Sequence, residues 1–363
     1  MSSGLRTKIK LNKVFYQVIN NFKKENISVV MPTYVPQRGE ILKDFANFAY
    51  IPDLDWSGHI KERNLDTEII ASVEQDLRKY FEEKGNLITI LKAANLENYT
   101  IPTREILPTS SVHEIKEVYK EICNEQGKIV LQSCHASTGA GKGTLFIDSA
   151  EELLSVLDKD KGYYKATRFI KGSESNLSFF SGNTLVSQKS LGAKKISLEN
   201  LNPNSPQTLF NLFERAKKEG ILDENIVTLV GRATLKSVGD ENLTSSPANG
   251  VGNDIGYIFP EQIAEQIKEI GDKLSRTLAK AGRVGLAGAD LIIDEQGKVW
   301  INEINDRQQG PTSQMSKDAE ANELPSLMKI ALVASFADFN FLQNSFSSFV
   351  QQCLQFLYLD FFL

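Results

Sequence analysis

Cysteine is scarce in this chain: three residues in 363, Cys123, Cys134 and Cys353, with no paired spacing. That argues against both a disulfide framework and a zinc site, and it fits a reducing cytoplasm. There are three histidines, and no Ser-His or Cys-His arrangement stands out, so a side-chain nucleophile is not indicated. No excess of base exists either. The formal net charge is −5, with Lys and Arg scattered along the chain, so nucleic acid is not an expected partner. The amino terminus lacks an apolar core of signal-peptide length, and no stretch before the tail approaches a membrane span. What the chain does have is length and 41% hydrophobic residues, enough for two or three packed subdomains.

Strand and helix signals alternate. "ISVVMPTYV" (27–35) reads as a strand, "EILKDFANFA" (40–49) as a helix, and residues 65–85 as a longer amphipathic helix closing at Gly85. Val112, Ile115, Val118, Tyr119 and Ile122 recur at helical spacing, and Ser149 with Glu152 forms a capping box before "EELLSVL". "YYKATRFI" and the segment near "NLSFFSGNTLVSQKS" read as strands. Residues 236–256 read as a long polar loop, either site cover or plain surface. Residues 260–282 carry a helix with Pro at its start and Gly at its end.

The stretch "KIVLQSCHASTGAGKGTLFI" (128–147) contains a glycine-rich turn with one lysine. It is not a Walker loop. Ala136 stands where the first glycine belongs, Gly143 follows Lys142 where Ser or Thr is needed, and a strand follows where a P-loop opens a helix. What remains is a hairpin whose N–H groups at Gly139, Gly141 and Gly143 could close over a polyphosphate as a lid, or which is simply a turn.

"GADLIIDEQGKVWINEINDRQQG" (288–310) is more telling. It reads as two strands joined by the turn Asp294–Gly297, with Ile293 opposite Lys298 and Asp290 opposite Ile301. Period-two alternation then puts Asp290 on one face with Glu303 and Asn305. Two carboxylates and an amide oxygen form a hard-donor set suited to Mg²⁺ carrying nucleotide phosphates, with Mn²⁺ as the alternative ion. Arg307, on the same face if the strand continues, adds a permanent positive charge for a phosphoryl group or an acyl phosphate.

The order of glycine-rich hairpin, strand with "FIKGSE", and Asp followed by Glu-x-Asn-x-Arg resembles the ATP-grasp superfamily, chiefly its carboxylate-amine ligases, over about residues 86–320. The resemblance implies an α/β (α+β) chain: residues 1–104 as a small α/β domain, 105–335 as two α+β subdomains gripping ATP, and 336–363 as a tail. It implies that Gly139, Gly141 and Gly143 cover the phosphates, that Arg168 and Ile170 lie on the strand reading adenine, and that Glu174 accepts the ribose hydroxyls. Asp290, Glu303 and Asn305 are the implied magnesium ligands, and Arg307 the arginine that steadies an acyl phosphate. Arg232 and Lys236, on one strand face, are the implied basic residues near the transferred group. The implied reaction joins a small-molecule carboxylate to an amine through an acyl phosphate, releasing ADP and phosphate.

Two positions depart from the family pattern. Gln132 stands where a phosphate-binding lysine is usual, and Thr167 where an acid is usual. Weaker ATP binding, a different nucleotide, or compensation by Lys142 or Lys165 all follow as alternatives; a neutral amide still donates to a phosphate, at about half the strength of a charge-assisted bond. A nucleotide-binding module without turnover, and a kinase or thioester-forming enzyme on the same scaffold, stand as rival readings. The tail from Phe336 holds eight phenylalanines and no Lys or Arg, which suits packing on the core or in a homodimer better than a membrane span.

Overall fold

A computed structural model of the chain describes residues 80–322 except 124, 126, 135–142, 158–161, 184–205, 219–225, 246 and 284, together with strand segments 28–30, 48–50 and 68–69 and residue 327. The glycine loop at 135–142, with Gly139, Gly141 and Lys142, and the aromatic tail lie outside the described residues.

In the amino-terminal region β1 (Ser28–Val30), β2 (Phe48–Tyr50) and β3 (Glu68–Ile69) form a parallel three-stranded sheet in that order. The helices expected over 40–49 and 65–85 are therefore corrected where they meet β2 and β3. Residues 80–82 are helical. Pairing along a parallel sheet overrides a weak helical preference, and Phe48 and Tyr50 suit a strand.

Helix α1 (Leu87–Ala93) follows a short 3₁₀ turn at Lys84–Asn86. Next come β4 (Thr103–Ile106), α2 (Val112–Ile122), β5 (Ile129–Ser133), β6 (Thr144–Ile147), α3 (Ala150–Val156) and β7 (Tyr164–Arg168). The four strands form an antiparallel sheet in the order β4-β7-β5-β6. Both helices are capped from within the sequence: the Ser111 hydroxyl accepts from Glu114 N–H, and that of Ser149 from Glu152 N–H. Such a cap stabilises a helix by about 1 kcal/mol. Ile115, Ile122 and Leu153 bury one face of this sheet, against Ile106, Ile129, Leu131, Ile147, Tyr164 and Ala166. Alternation therefore turns Gln132, Lys165 and Thr167 to the other face.

The second lobe contains β8 (Gly172–Asn183), α4 (Pro206–Lys218), β9 (Ile226–Val230), β10 (Thr234–Val238), β11 (Gly250–Asp254), α5 (Glu261–Lys280), β12 (Gly285–Asp294), β13 (Val299–Asn305) and α6 (Thr312–Ala321). Its sheet runs β11-β10-β8-β12-β13, and β9 pairs with the far end of the long β8. The segment expected as a polar loop at 236–256 is strand at both ends, 236–238 in β10 and 250–254 in β11, which pair at the sheet edge, with a loop only between them. In α5, Ile267, Ile270, Leu274 and Leu278 share a face at spacings of three and four, and Gly282, at φ +92°, ends the run in a conformation that favours glycine. That face packs on Leu177, Phe179, Ala287, Ala289, Leu291, Val299 and Ile301, together with Leu87, Ile90 and Leu91 of α1. Each Leu or Ile so enclosed contributes about 1.5–3 kcal/mol. One face of the large sheet is thus committed to the core, and the opposite face is left for polar side chains.

Candidate nucleotide and metal site

On the polar face, the register aligns one side chain per strand across four strands. Thr234 of β10 pairs with Asn176 of β8, Asn176 with Asp290 of β12, and Asp290 with Glu303 of β13. The adjacent row on the same face holds Lys236 and Glu174. On the other side of the first row, Gly288 pairs with Asn305. Asp290, Glu303 and Asn305 thus share a face, as their spacing in sequence predicts.

They reach that arrangement by a different register from the one expected. Ile293 pairs with Val299 rather than Lys298, a shift of one residue already present at the turn, and Asp290 pairs with Glu303 rather than Ile301, because a bulge at Asn302, opposite the step from Asp290 to Leu291, adds a second. A bulge inserts one unpaired residue and shifts the alternation. Val299, Ile301 and Ile304 therefore all enter the core, at spacings of two and then three, while Glu303 and Asn305 face the site. In an unbroken ladder Ile301 and Glu303 would lie on the same face, and one of them would be misplaced.

The electrostatics concentrate around the two carboxylates. Asp290 is 8% exposed; its Oδ1 accepts from Asn176 Nδ2 and its Oδ2 from Lys236 Nζ at 3.1 Å. Lys236 Nζ also lies 3.3 Å from Glu174 Oε2, so one ammonium bridges carboxylates of two strands. Burial, and then the charge of Glu303, push the Asp290 carboxyl up to about 6. Burial acts on Glu303 in the same direction, but Lys84, Lys236 and Arg307 together outweigh it and hold Glu303 below the ordinary carboxylate range. Burial lowers the pKa of Lys236, yet Asp290 and Glu174 more than reverse this, so it stays charged. A buried aspartate and a half-buried glutamate, with the Lys236 ammonium between Asp290 and Glu174, make an acidic site that already holds one side-chain cation. This oxygen donor set, with Asn305 beside it, fits a hard divalent ion. Among the described residues no group of three or more His, Cys, Asp and Glu is gathered as a metal cage, so any such ion would draw on the amide and on its ligand's own oxygens.

Residues 248–333 match the family described as YheC/D like ATP-grasp. The chain also aligns with the D-alanine-D-alanine ligase of Coxiella burnetii over 86% of its own length and 71% of that chain, at 14% identity and a TM-score of 0.50. The fold is that of the ATP-grasp superfamily. A biotin carboxylase from Campylobacter jejuni superposes with a TM-score of 0.51 at 10% identity, covering 89% of this chain and 69% of that one. The biotin carboxylase domain of a Hydrogenobacter thermophilus 2-oxoglutarate carboxylase, in complex with MgADP and bicarbonate, gives 0.50 at 14% identity, over 88% and 67%. No curated protein sequence matches the chain.

The other candidate residues sit at defined places in the ATP-grasp lobes. Gln132 pairs directly with Lys165 across β5 and β7, and its Nε2 donates to Thr144 Oγ1 at 3.1 Å. Lys165 is 2% exposed and donates to Asn302 O, in the other lobe, at 3.3 Å; burial and then the charge of Lys84 pull its pKa down to about 8. Thr167 is buried, its hydroxyl donating to Val130 O at 3.4 Å. Arg168 is tied to the backbone, Nε donating to Ile122 O at 3.2 Å, and Ile170 follows in the link to β8. Gly143, at φ +82°, opens β6 at the end of the glycine hairpin.

Arg307 follows β13 instead of continuing it, and its Nη1 donates to Glu82 Oε1 at 2.9 Å. Arg232 precedes β10, is exposed, and donates from Nη2 to Gly256 O and Tyr257 O at 3.0 and 2.8 Å. It is held on that loop and does not join the row led by Thr234. Three residues of the site escaped the sequence reading. Lys84, in the turn before α1, stands 4.0 Å from Glu303; Glu82 holds Arg307; and Asn176 holds Asp290. Only Asn176 carried a local signal, a polar residue spaced by two from Glu174 and Ser178 within a strand.

Proposed function

We propose that the chain is an ATP-dependent ligase joining a small-molecule carboxylate to an amine, with ADP and phosphate as the other products. The observation that carries this reading is the convergence of Asp290, Glu303 and Asn305 on one sheet face with Lys236 beside them. Asp290, Glu303 and Asn305 would hold Mg²⁺, or Mn²⁺ in its place, and the ion would neutralise charge on the nucleotide phosphates. Gln132, Lys165, Arg168, Ile170 and Glu174 line the ATP side of the cleft in this reading, with Gly139, Gly141, Lys142 and Gly143 as its cover.

The substrate carboxylate oxygen attacks the γ-phosphorus, and the bond from that phosphorus to ADP breaks. Arg307 and Lys236 face the charge that develops on the transferred group. The amine nitrogen then adds to the acyl carbon, the bond from that carbon to the bridging oxygen breaks, phosphate leaves carrying that former carboxylate oxygen, and the nitrogen loses its proton to solvent or phosphate. Arg232 is a candidate only if its loop moves toward the site. The cysteine distribution supports a reducing compartment such as the cytoplasm. Among the described residues no helix is long and apolar enough to cross a membrane.

A second reading, a nucleotide-binding module without turnover, is favoured by one observation: Gln132 is neutral and its amide is already engaged with Thr144. A screen of ATP-dependent phosphate release against pooled carboxylic acids and amines separates the two. Release that requires both an acid and an amine, and that disappears in Glu303→Gln, supports the ligase. ATP binding without release under any pool supports the module. Product mass distinguishes an amide from a phosphorylated alcohol.

A further inference from the structure

The bulge at Asn302 raises a question that the ligand set alone does not answer. β13 can pair with β12 in an unbroken ladder one residue away, in which Glu303 would sit opposite Ala289 and face the core. The bulge avoids this, but it takes Asn302 out of the regular ladder, and the carbonyl of such a residue needs a partner. That partner comes from the other lobe: Lys165 Nζ donates to Asn302 O at 3.3 Å. Lys165 is almost wholly buried on β7 between Tyr164 and Ala166 of the small lobe's core. Its cross-strand neighbour Gln132 is occupied with Thr144, so it is Lys165 that spans the cleft.

We infer that Lys165 is a positioning residue: by donating to the bulge carbonyl it fixes the backbone step that presents Glu303 to the metal site, and it ties that step to closure of the two lobes. Among the described residues this is the one hydrogen bond that its ammonium donates. The inference rests on Glu303 being a metal ligand.

A simpler role would be charge compensation, with the ammonium merely balancing Glu303. The two roles predict opposite signs. Removing a nearby positive charge raises the affinity of an acidic pair for a divalent cation, whereas releasing the backbone that aims a ligand lowers it. The test is Mn²⁺ binding, followed by electron paramagnetic resonance in the absence of nucleotide, for wild type, Lys165→Met, Lys165→Leu and Glu303→Gln, with circular dichroism to verify folding. Glu303→Gln is expected to weaken Mn²⁺ binding, and Lys165→Met to weaken it by about ten-fold, the lower end of what loss of an outer-sphere partner costs. Lys165→Leu, which likewise has no donor for Asn302 O, gives the same comparison if the methionine substitution fails to fold. Unchanged or tighter Mn²⁺ binding in the folded Lys165 variant, beside a weakened Glu303→Gln, overturns the positioning role. Unchanged binding in Glu303→Gln overturns instead the ligand assignment on which it rests.

Discussion

Asp290 on β12 stands directly opposite Glu303 on β13, with Asn176 and Lys236 holding the two oxygens of the aspartate. A buried aspartate in register with a half-buried glutamate is unfavourable for a protein that only has to fold, since like charges opposite each other on a sheet repel. Asp290 is therefore expected to reduce stability in the metal-free state, whereas Lys84, Lys236 and Arg307 offset the cost for ionised Glu303.

The first prediction follows from its titration. The Asp290 carboxyl is raised from 3.8 in the unfolded chain to about 6 in the folded one. The folded state thus holds the proton more tightly, and the associated stability is full below the unfolded value and lost as pH rises through about 6. In metal-free buffer Asp290→Asn should match wild type near the acid end of this window and exceed it at pH 7.5 by up to about 3 kcal/mol. Urea denaturation at a series of pH values measures this. A variant less stable than wild type at pH 7.5 would contradict it.

Lys236 supplies the second prediction. Its ammonium sits between Asp290 and Glu174 as a cation would, so an incoming metal must displace it or share the acids with it. Lys236→Met should tighten Mn²⁺ binding in the absence of nucleotide by about ten-fold, equivalent to ~1.4 kcal/mol. The same variant should lose ligase turnover. Mn²⁺ titration and phosphate release, measured on one preparation, check both.

The third prediction concerns packing under the site. A Cβ added at Gly288 would lie 2.1 Å from Gln309 Nε2 and 2.4 Å from Leu177 O, and the second of these is backbone that cannot swing away. Gly288→Ala should destabilise the protein by about 1–3 kcal/mol, with thermal melting as the measurement. Shortening Gln309 to Ala in the same chain should restore only part of the loss, because the Leu177 carbonyl remains.

Much of this site was legible in the sequence, and the reasons are physical. Alternation at 303 and 305 marked a polar face in the strand, though Arg307 lies beyond its end, and hard oxygen donors without His or Cys are the reason the proposal names Mg²⁺. The register was misread by one residue at the turn and by two at Asp290, because the turn alone was used to set it and the bulge was not seen. The apolar spacing of Val299, Ile301 and Ile304, two and then three, was the available sign of a bulge. Lys84 and Glu82 could not be found by pattern. They meet Glu303 and Arg307 from more than two hundred residues away in sequence, and only the packing of α1 against α5 and β13's neighbours brings that segment to the site. Of the amino-terminal strands, β1 falls within the strand read at 27–35, whereas β2 and β3 were missed where helical periodicity and strand pairing conflicted, and pairing prevailed.

The central claim is that Asp290, Glu303 and Asn305 hold a divalent ion together with a nucleoside triphosphate. Titration calorimetry of ATP, with and without Mg²⁺, on wild type and Glu303→Gln tests it most directly. The account predicts that Mg²⁺ tightens ATP binding to wild type by about ten-fold or more, a coupling of ~1.4 kcal/mol, and that Glu303→Gln abolishes this dependence while remaining folded. An equal response to Mg²⁺ in both proteins, or ATP binding to wild type that ignores Mg²⁺, would contradict it.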